Sequence, residues 1–175
     1  MAIKPKTFCD PGFESNPSTG QHHDHSIQKI SDLFSLLGSD PEENIRIIVQ
    51  QTCEMLGSAS SLYSRLENDR AYLICWAGCN LPPGFPPGDE AEGHVCYEAT
   101  LKAGNYPVVI EDLAESSYYH SDPLIKRFGL KSYMGHPVYS GGRVLGSLCV
   151  VDTRSRKYSK VETYTMCTLA KAISL

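Results

Sequence analysis

The sequence predicts an α+β domain built on one antiparallel sheet of about five or six strands, with helices packed on one face. Amphipathic segments at the helical period lie near both ends of the chain. The segments between them are short, rich in β-branched and aromatic residues, and joined by short connections. Short connections favour antiparallel pairing, because parallel strands need long crossovers.

The helices follow from apolar spacing and from the residues at their ends. Asp40 precedes Pro41, and an N-cap carboxylate followed by a first-turn proline is typical of a helix start. Ser159 and Glu162 form a capping-box pattern before the last helix. The predicted long helices span residues 26–37, 40–56 and 159–175, and short helices span 94–102 and 122–129.

The strand pattern places one strand at the centre of the sheet. Strand 143–151 ends in an unbroken apolar run, which indicates burial on both faces. Gly141-Gly142 before it is typical of a two-residue hairpin turn. Prolines and glycines crowd the segment 78–93, which predicts a long loop without regular structure. The other predicted strands span residues 62–66, 71–77, 107–110 and 132–139.

The length and composition of the chain limit its number of domains and the classes of partner that it can bind. The 175 residues fit a single domain at 26–175, after a segment at 1–25 predicted to be disordered from its proline, glycine, serine and histidine content. The net charge of −4, without a basic stripe, argues against nucleic acid as a partner. No apolar run is long enough to predict a transmembrane helix. The seven cysteines follow no secretory signal, so we expect reduced thiols in a cytoplasmic protein.

Three fragments, in order and with matching spacing, resemble the GAF family. Segment 107–112 is similar to the family's strand ending in aspartate, 129–138 to the strand after its small helix, and 142–152 to its last strand. The resemblance covers roughly residues 40–174. It implies a PAS-related sheet with helices behind it and, in front, a pocket roofed by the middle loops. It also implies a sensory role, usually beside a histidine kinase, a cyclic-di-GMP enzyme or a transcription activator.

Packing arguments also favour a pocket. A sheet that is apolar on both faces leaves only short helices and a Pro/Gly loop to cover its second face, and imperfect covers leave concavities where ligands bind. We expect the pocket beneath segments 78–93, 94–102 and 111–129. The predicted ligand-binding lining combines aromatic and polar side chains: Trp76, Tyr97, Asp112, Tyr118, His120, Ser132, Tyr133 and His136.

The sequence departs from two ligand-specific branches of the family. Relatives that carry a bilin place a cysteine just before a loop histidine, whereas Tyr119 precedes His120 here, so the thioether cannot form. The cyclic-nucleotide signature is also missing, since Asn105 is followed by tyrosine rather than lysine. We therefore expect no cofactor and leave the identity of a small-molecule ligand open.

A thiol function is the main alternative of another class. The family's enzymatic branch reduces free methionine sulfoxide, which requires a thiolate and a nearby resolving thiol. Cys96 is the candidate nucleophile, with Cys79 or Cys75 to resolve it. No phosphate-binding, hydrolase or metalloprotease motif occurs, so we expect a domain that is not an enzyme.

Metal and haem sites are weaker alternatives. Strand residues four apart lie about 13 Å apart, too far to share a zinc ion unless the chain turns between them. Haem would need an axial ligand in the roofed pocket. The candidate zinc ligands are Cys75, Cys79, His94 and Cys96, and the candidate axial ligands are His94, His120 and His136.

These observations together predict signal input. A ligand or partner would bias two states of the domain, and the terminal helices would pass the change to an effector domain elsewhere in a longer protein. The apolar stripes of the first and last helices predict a homodimer through them. A redox sensor centred on Cys96 and a structural dimerisation module without ligand remain alternatives.

Overall fold

The computed structural model describes residues 20–67 and 72–174, except for the side chains of 20–27 and 99–102. Six strands in these ranges form one sheet: β1 (Ser60–Glu67), β2 (Tyr72–Cys79), β3 (Gly88–Glu90), β4 (Val108–Ile110), β5 (Ser132–Ser140) and β6 (Arg143–Asp152). Their order is β3-β2-β1-β6-β5-β4, and every neighbouring pair is antiparallel. The predicted fold class and the predicted antiparallel sheet are confirmed.

Helices flank the sheet on both faces. The long helices are α1 (Gly20–Leu36), α2 (Pro41–Leu56) and α6 (Lys160–Ile173), and the short ones are α3 (Val95–Lys102), α4 (Tyr118–Ser121) and α5 (Pro123–Phe128). A 3₁₀ turn spans Leu113–Glu115. We call α3, α4, α5, the 3₁₀ turn and the loop 80–87 the roof. In the described ranges, no helix has the length and apolar character needed to cross a membrane.

Two segments that the sequence predicts to lack regular structure contain some. Helix α1 begins at Gly20, inside the segment 1–25 that the sequence predicts to be disordered, and residues 1–19 of that segment lie outside the described residues. The predicted loop 78–93 contains β3, which pairs with Tyr72–Ile74 of β2. The short edge strand β3 pairs through backbone N–H and C=O groups, so its pairing leaves no side-chain pattern that the sequence could show.

The predicted helix ends are confirmed in their hydrogen bonds. The Asp40 carboxylate accepts the backbone N–H of Glu42 at 2.9 Å, which satisfies one of the free donors at the start of α2. Gly57 ends that helix in the left-handed conformation, with φ of 56°. At the start of α6, Ser159 and Glu162 form the predicted reciprocal capping box.

The sheet is buried on both faces, as strand 143–151 predicts. Tyr63, Leu148 and Val150 face a core formed with α1, α2 and α6. Leu62 and Cys149, on the same two strands, face a second core beneath the roof. Strands β1 and β6 therefore belong to both cores at once, because alternate side chains point to opposite faces.

Arg156 joins three elements on the helix side of the sheet. Its guanidinium donates to the Asp152 carboxylate at the end of β6 at 3.4 Å, and to the Leu56 carbonyl at the end of α2 at 3.0 Å. It also bonds Glu162 in the first turn of α6. Burial raises the pKa of Asp152, but the hydrogen bonds and charges of Arg154 and Arg156 outweigh it and hold the pKa below its ordinary value.

Replacing Arg156 with methionine should lower the free energy of unfolding by about 2–4 kcal/mol, because buried Asp152 loses a charged partner and the α2 carbonyls lose a donor. The matched control is Arg154→Met. Arg154 also contacts Asp152, but its side chain is 75% exposed. Its loss should cost no more than about 1 kcal/mol. Urea unfolding of both variants checks the difference, and equal losses would contradict the joining role of Arg156.

Candidate functional site

A small cavity lies between the sheet and the roof, where β1 and β2 meet α3 and α5. Its volume is about 50 Å³. That space holds about three to five water molecules, so a larger ligand requires the roof to move. The walls are mostly apolar, with a few polar groups. The lining comprises Leu62, Ser64, Leu73, Cys75, Phe85, Pro86, Gly88, Asp89, His94, Val95, Cys96, Asp122, Leu124, Leu130 and Val151.

His94 is the central polar group of this cavity. It is buried, and its ring bridges two carboxylates: Nδ1 lies 3.3 Å from Asp122 and Nε2 lies 3.4 Å from Asp89. Asp122 also accepts the backbone N–H of Val95 at 3.0 Å and of Leu124 at 2.9 Å. One buried carboxylate thus fixes the starts of α3 and α5 and orients the imidazole.

The surroundings of His94 favour its charged form. The hydrogen bond to Asp122 raises the pKa of His94, burial acts in the opposite direction, and the negative charges of Asp122 and Asp89 add to the rise. The net pKa lies above the ordinary histidine value. The protonated ring has two N–H donors, which match the two carboxylates beside it.

Three thiols lie near this cavity. Cys96 Sγ lies 3.8 Å from Cys149 Sγ. Cys75 lines the cavity, and it lies close enough to Cys96 and Cys149 for a negative charge on one thiolate to affect the pKa of the neighbouring thiol. Burial raises the pKa of Cys75 to about 11. The hydrogen bond with Cys96, together with burial, raises the pKa of Cys149.

A buried tyrosine completes the cluster. The Tyr133 side chain is fully buried, and its hydroxyl lacks a hydrogen-bond partner among the described residues. Its nearest polar neighbours are Cys96 and Cys149, and burial raises its pKa. Gly135 makes room for it, since a Cβ at that position would overlap the Tyr133 ring and hydroxyl.

The predicted lining residue Trp76 lies on the helix side of the sheet, because its neighbour Cys75 faces the cavity and alternate strand residues face opposite sides. Ser64 pairs with Cys75 and Tyr63 pairs with Ala77, so a β-bulge at Trp76 keeps Ala77 on the helix side as well. The Arg65 guanidinium lies 4.8 Å from the Trp76 ring centroid. Cys75 takes the place in the cavity instead.

Ser132 and His136 also lie on the helix side, in register with Met134 and opposite to Tyr133. Ser132 Oγ lies 3.3 Å from the Tyr158 hydroxyl. His136 Nε2 lies 3.2 Å from the Asn105 carbonyl oxygen, and burial lowers its pKa. Only alternate residues of a strand face the roof, so Tyr133 reaches the roof-side core and these two do not. His136 borders a separate open groove of about 530 Å³ beside the C-terminal end of α6.

The remaining predicted site residues lie in the roof without reaching the cavity. Asp112 caps the 3₁₀ turn and accepts the Ser155 hydroxyl at 2.9 Å, so it fastens two loops. Tyr118 packs on the roof-side core, Tyr97 is half-buried outside the lining, and His120 is exposed. None of the eight predicted binding residues appears in the cavity lining, whereas the redox candidate Cys96 does.

The sequence predicts the local role of one cavity residue but not its contacts with the others. Asp122 before Pro123 predicts a helix cap, but nothing local shows that the same carboxylate reaches His94, 28 residues earlier. Cys79 faces away from the proposed zinc ligands and lies beside Cys53. The six cysteines of the described residues are thiols rather than disulfides, and Cys9 lies outside those residues.

The fold and the roofed cavity define an α+β domain with two cores and a small internal site. The family model for the GAF domain matches residues 40–175. The chain therefore belongs to the GAF domain family. A comparison with curated protein sequences found no match.

Solved structures agree with this fold. The GAF domain of a phosphoenolpyruvate-protein phosphotransferase from Coxiella burnetii is similar, with a TM-score of 0.71 at 14% identity over 85% of this chain and 90% of that one. Free methionine-R-sulfoxide reductase from Neisseria meningitidis, solved with its substrate, is also similar, with a TM-score of 0.69 at 17% identity over 93% of this chain and 91% of that one. The chromophore-binding domain of Stigmatella aurantiaca phytochrome P1 has a TM-score of 0.67 at 14% identity, over 93% of this chain and 61% of that one. These identities show a shared fold alone.

The His94 bridge predicts a pH-dependent contribution to stability. A histidine pKa that is raised on folding stabilises fully below the unfolded value of about 6.5, and this stabilisation is lost as the pH rises through the folded value. The variant His94→Gln should therefore lower the free energy of unfolding by about 1–3 kcal/mol near pH 6. The deficit should shrink as the pH rises.

Denaturant titrations at a series of pH values measure this difference. His120→Gln is the control, because His120 is exposed on the same roof. It should show no comparable pH-dependent deficit. A His94→Gln deficit that grows with pH would contradict the bridge.

Proposed function

We propose that this chain is a sensory module that binds a small molecule under its roof and does no chemistry on it. The observation that carries the proposal is the cavity itself. Its walls are mostly apolar, and it holds one oriented polar group, His94 between Asp89 and Asp122. Ligand sites commonly combine apolar walls with a few fixed polar groups.

The roof is the part able to admit a ligand. In the segment 81–87, the side-chain contacts to the neighbouring α5 region are a hydrogen bond from Arg127 to the Gly84 carbonyl at 2.9 Å and the Phe85–Phe128 ring stack at 5.6 Å. Both contacts can open without disturbing the sheet. Segments with few backbone ladder bonds have low local stability, so this loop is the natural gate.

The strands beneath the cavity provide a route to the helix layer. Leu62 and Val151 line the cavity, while their chain neighbours Tyr63 and Val150 lie in the core beneath α2 and α6. A ligand that moves β1 or β6 must therefore also shift the packing of the helices, because close-packed cores transmit displacement. Differential binding to two such arrangements is the physical requirement for a signal.

The output of this module is proposed to be an effector of a cytoplasmic signalling protein, such as a histidine kinase. The terminal helices α1 and α6 are the elements that would reach it. They expose large apolar side chains, with Tyr164 66% exposed on α6 and Leu36 57% exposed on α1. We propose that this outer surface forms a homodimer, which would carry the signal to paired effectors.

The enzymatic alternative has a separate test. Reduction of free methionine sulfoxide at Cys96 would give turnover in the presence of a dithiol reductant. The module proposed here should give none beyond the rate of a Cys96→Ser variant.

Ligand binding can be tested by melting measurements with a panel of amino acids, nucleotides and small aromatic acids. At least one member should stabilise the protein saturably, by about 2.7 kcal/mol at a hundredfold excess over its Kd. Leu124→Trp should abolish the shift, because Leu124 lines the cavity and a larger side chain there would fill its small volume. Val109→Trp is the matched control, since Val109 is exposed on β4 away from the cavity. Equal shifts in both variants would place binding elsewhere.

The dimer can be tested by sedimentation equilibrium. The wild-type protein should be a dimer, and Tyr164→Lys should raise the dimer dissociation constant by about tenfold or more, because a buried aromatic anchor carries much of such an interface. Val109→Lys changes an exposed apolar residue of the edge strand β4 rather than of α1 or α6, and it should leave the dissociation constant unchanged. A concentration-independent monomer for the wild type would refute the proposed assembly.

A further inference from the structure

Two cysteines from distant parts of the chain meet beside the cavity, in the core beneath the roof. Cys96 lies in the first turn of α3, and Cys149 lies in β6, the strand covered on both faces. Their sulfurs are 3.8 Å apart, across a sequence separation of 53. A disulfide needs about 2.05 Å between the sulfurs, so a modest side-chain rotation or shift of α3 would bring them into bonding distance.

The two thiols differ in access. Cys96 is half-buried and lines the cavity, so a small oxidant in the cavity reaches it directly. Cys149 is 0% exposed, and only a group already inside the core can react with it. Cys75 also lines the cavity, but Cys149 is the cysteine whose sulfur the structure brings within 3.8 Å of the Cys96 sulfur. This asymmetry gives the pair an attacking thiol and a resolving thiol.

We propose that Cys96 and Cys149 form a two-electron redox site, which a hydroperoxide that enters the cavity converts reversibly to a disulfide. Such a site would add a covalent response beside the cavity to the proposed ligand sensing.

The reaction balances in two steps. The Cys96 sulfur attacks the terminal oxygen of the hydroperoxide; an S–O bond forms, the O–O bond breaks, and the alcohol leaves with the thiol proton. Cys96 is then a sulfenic acid. The Cys149 sulfur attacks the Cys96 sulfur; an S–S bond forms, the S–O bond breaks, and water leaves with the Cys149 proton. The two thiols lose two electrons in total, and the peroxide gains them.

The disulfide would tie the roof to the sheet. Helix α3 would then be joined covalently to β6, which packs on the opposite side against the helix layer. Oxidation would restrict the movement of α3, one of the roof segments that line the cavity. The same fold would therefore report redox state and ligand through one set of strands.

The experiment treats the reduced, desalted chain with hydrogen peroxide, blocks remaining thiols with an alkylating agent, and maps the peptides without reduction. The expected product is a cross-linked peptide pair that carries Cys96 and Cys149, removed by a dithiol reductant. The mapping reads the sulfurs without any ligand, so it fails or succeeds separately from the ligand-binding measurement.

Two variants sharpen the result. Cys149→Ala should lower the cross-linked fraction by about tenfold or more and leave Cys96 as a sulfenic acid that dimedone traps. Cys79→Ser is the matched control, since Cys79 lies beside Cys53 rather than beside the pair, and it should give the wild-type yield.

Three outcomes would overturn the proposal. They are a cross-link that joins Cys96 to a different cysteine in the wild type, a wild-type yield of disulfide in Cys149→Ala, and cross-linking that appears only in denaturant. The wild-type mapping decides the question even if a variant fails to fold.

Discussion

Burial of β6 on both faces is the constraint on which the rest of the structure depends. Leu148 and Val150 point to the helix layer, and Cys149 and Val151 point to the roof. An apolar strand cannot leave either face in water, so the chain must supply two covers. The long amphipathic helices form the first. The second is assembled from α3, α5 and a Pro/Gly-rich loop, because the remaining segments are too short to form another helix layer.

A roof built from short helices and a loop needs hydrogen bonds to hold its segments together, and the polar groups that make these bonds form the site. Asp122 caps α5, accepts a backbone N–H at the start of α3, and holds His94. The Arg156 network performs the comparable task on the helix side, where the ends of α2, β6 and α6 meet. The difference lies in what each encloses. Arg156 joins elements whose apolar faces already interlock, whereas the Asp122 cluster spans a region that remains incompletely filled.

The sequence predicts the elements well because their signals are local. Asp40, Gly57 and the Ser159–Glu162 capping box act within a few residues, and the structure confirms each. The site is less predictable because its determinants are not local. Alternation along β2 places Cys75 in the cavity and Trp76 on the opposite face, and alternation along β5 separates Tyr133 from His136. The contact between Cys96 and Cys149 is a tertiary contact between residues far apart in the sequence, so the spacing of the cysteines along the chain does not predict it.

The small cavity changes how binding and signalling are related. Since about 50 Å³ is too little for most metabolites, the proposed binding requires a roof-open state, and we propose that this state is the minor one in the unliganded domain. The apparent affinity is then reduced by the population of that state, and any change that alters the population alters the response. In this proposal, protonated His94 favours the closed roof because it bridges Asp89 and Asp122, and a Cys96–Cys149 bond would favour it further. A small cavity is therefore compatible with a sensor, because the free energy of opening the roof would set the threshold that a ligand must exceed.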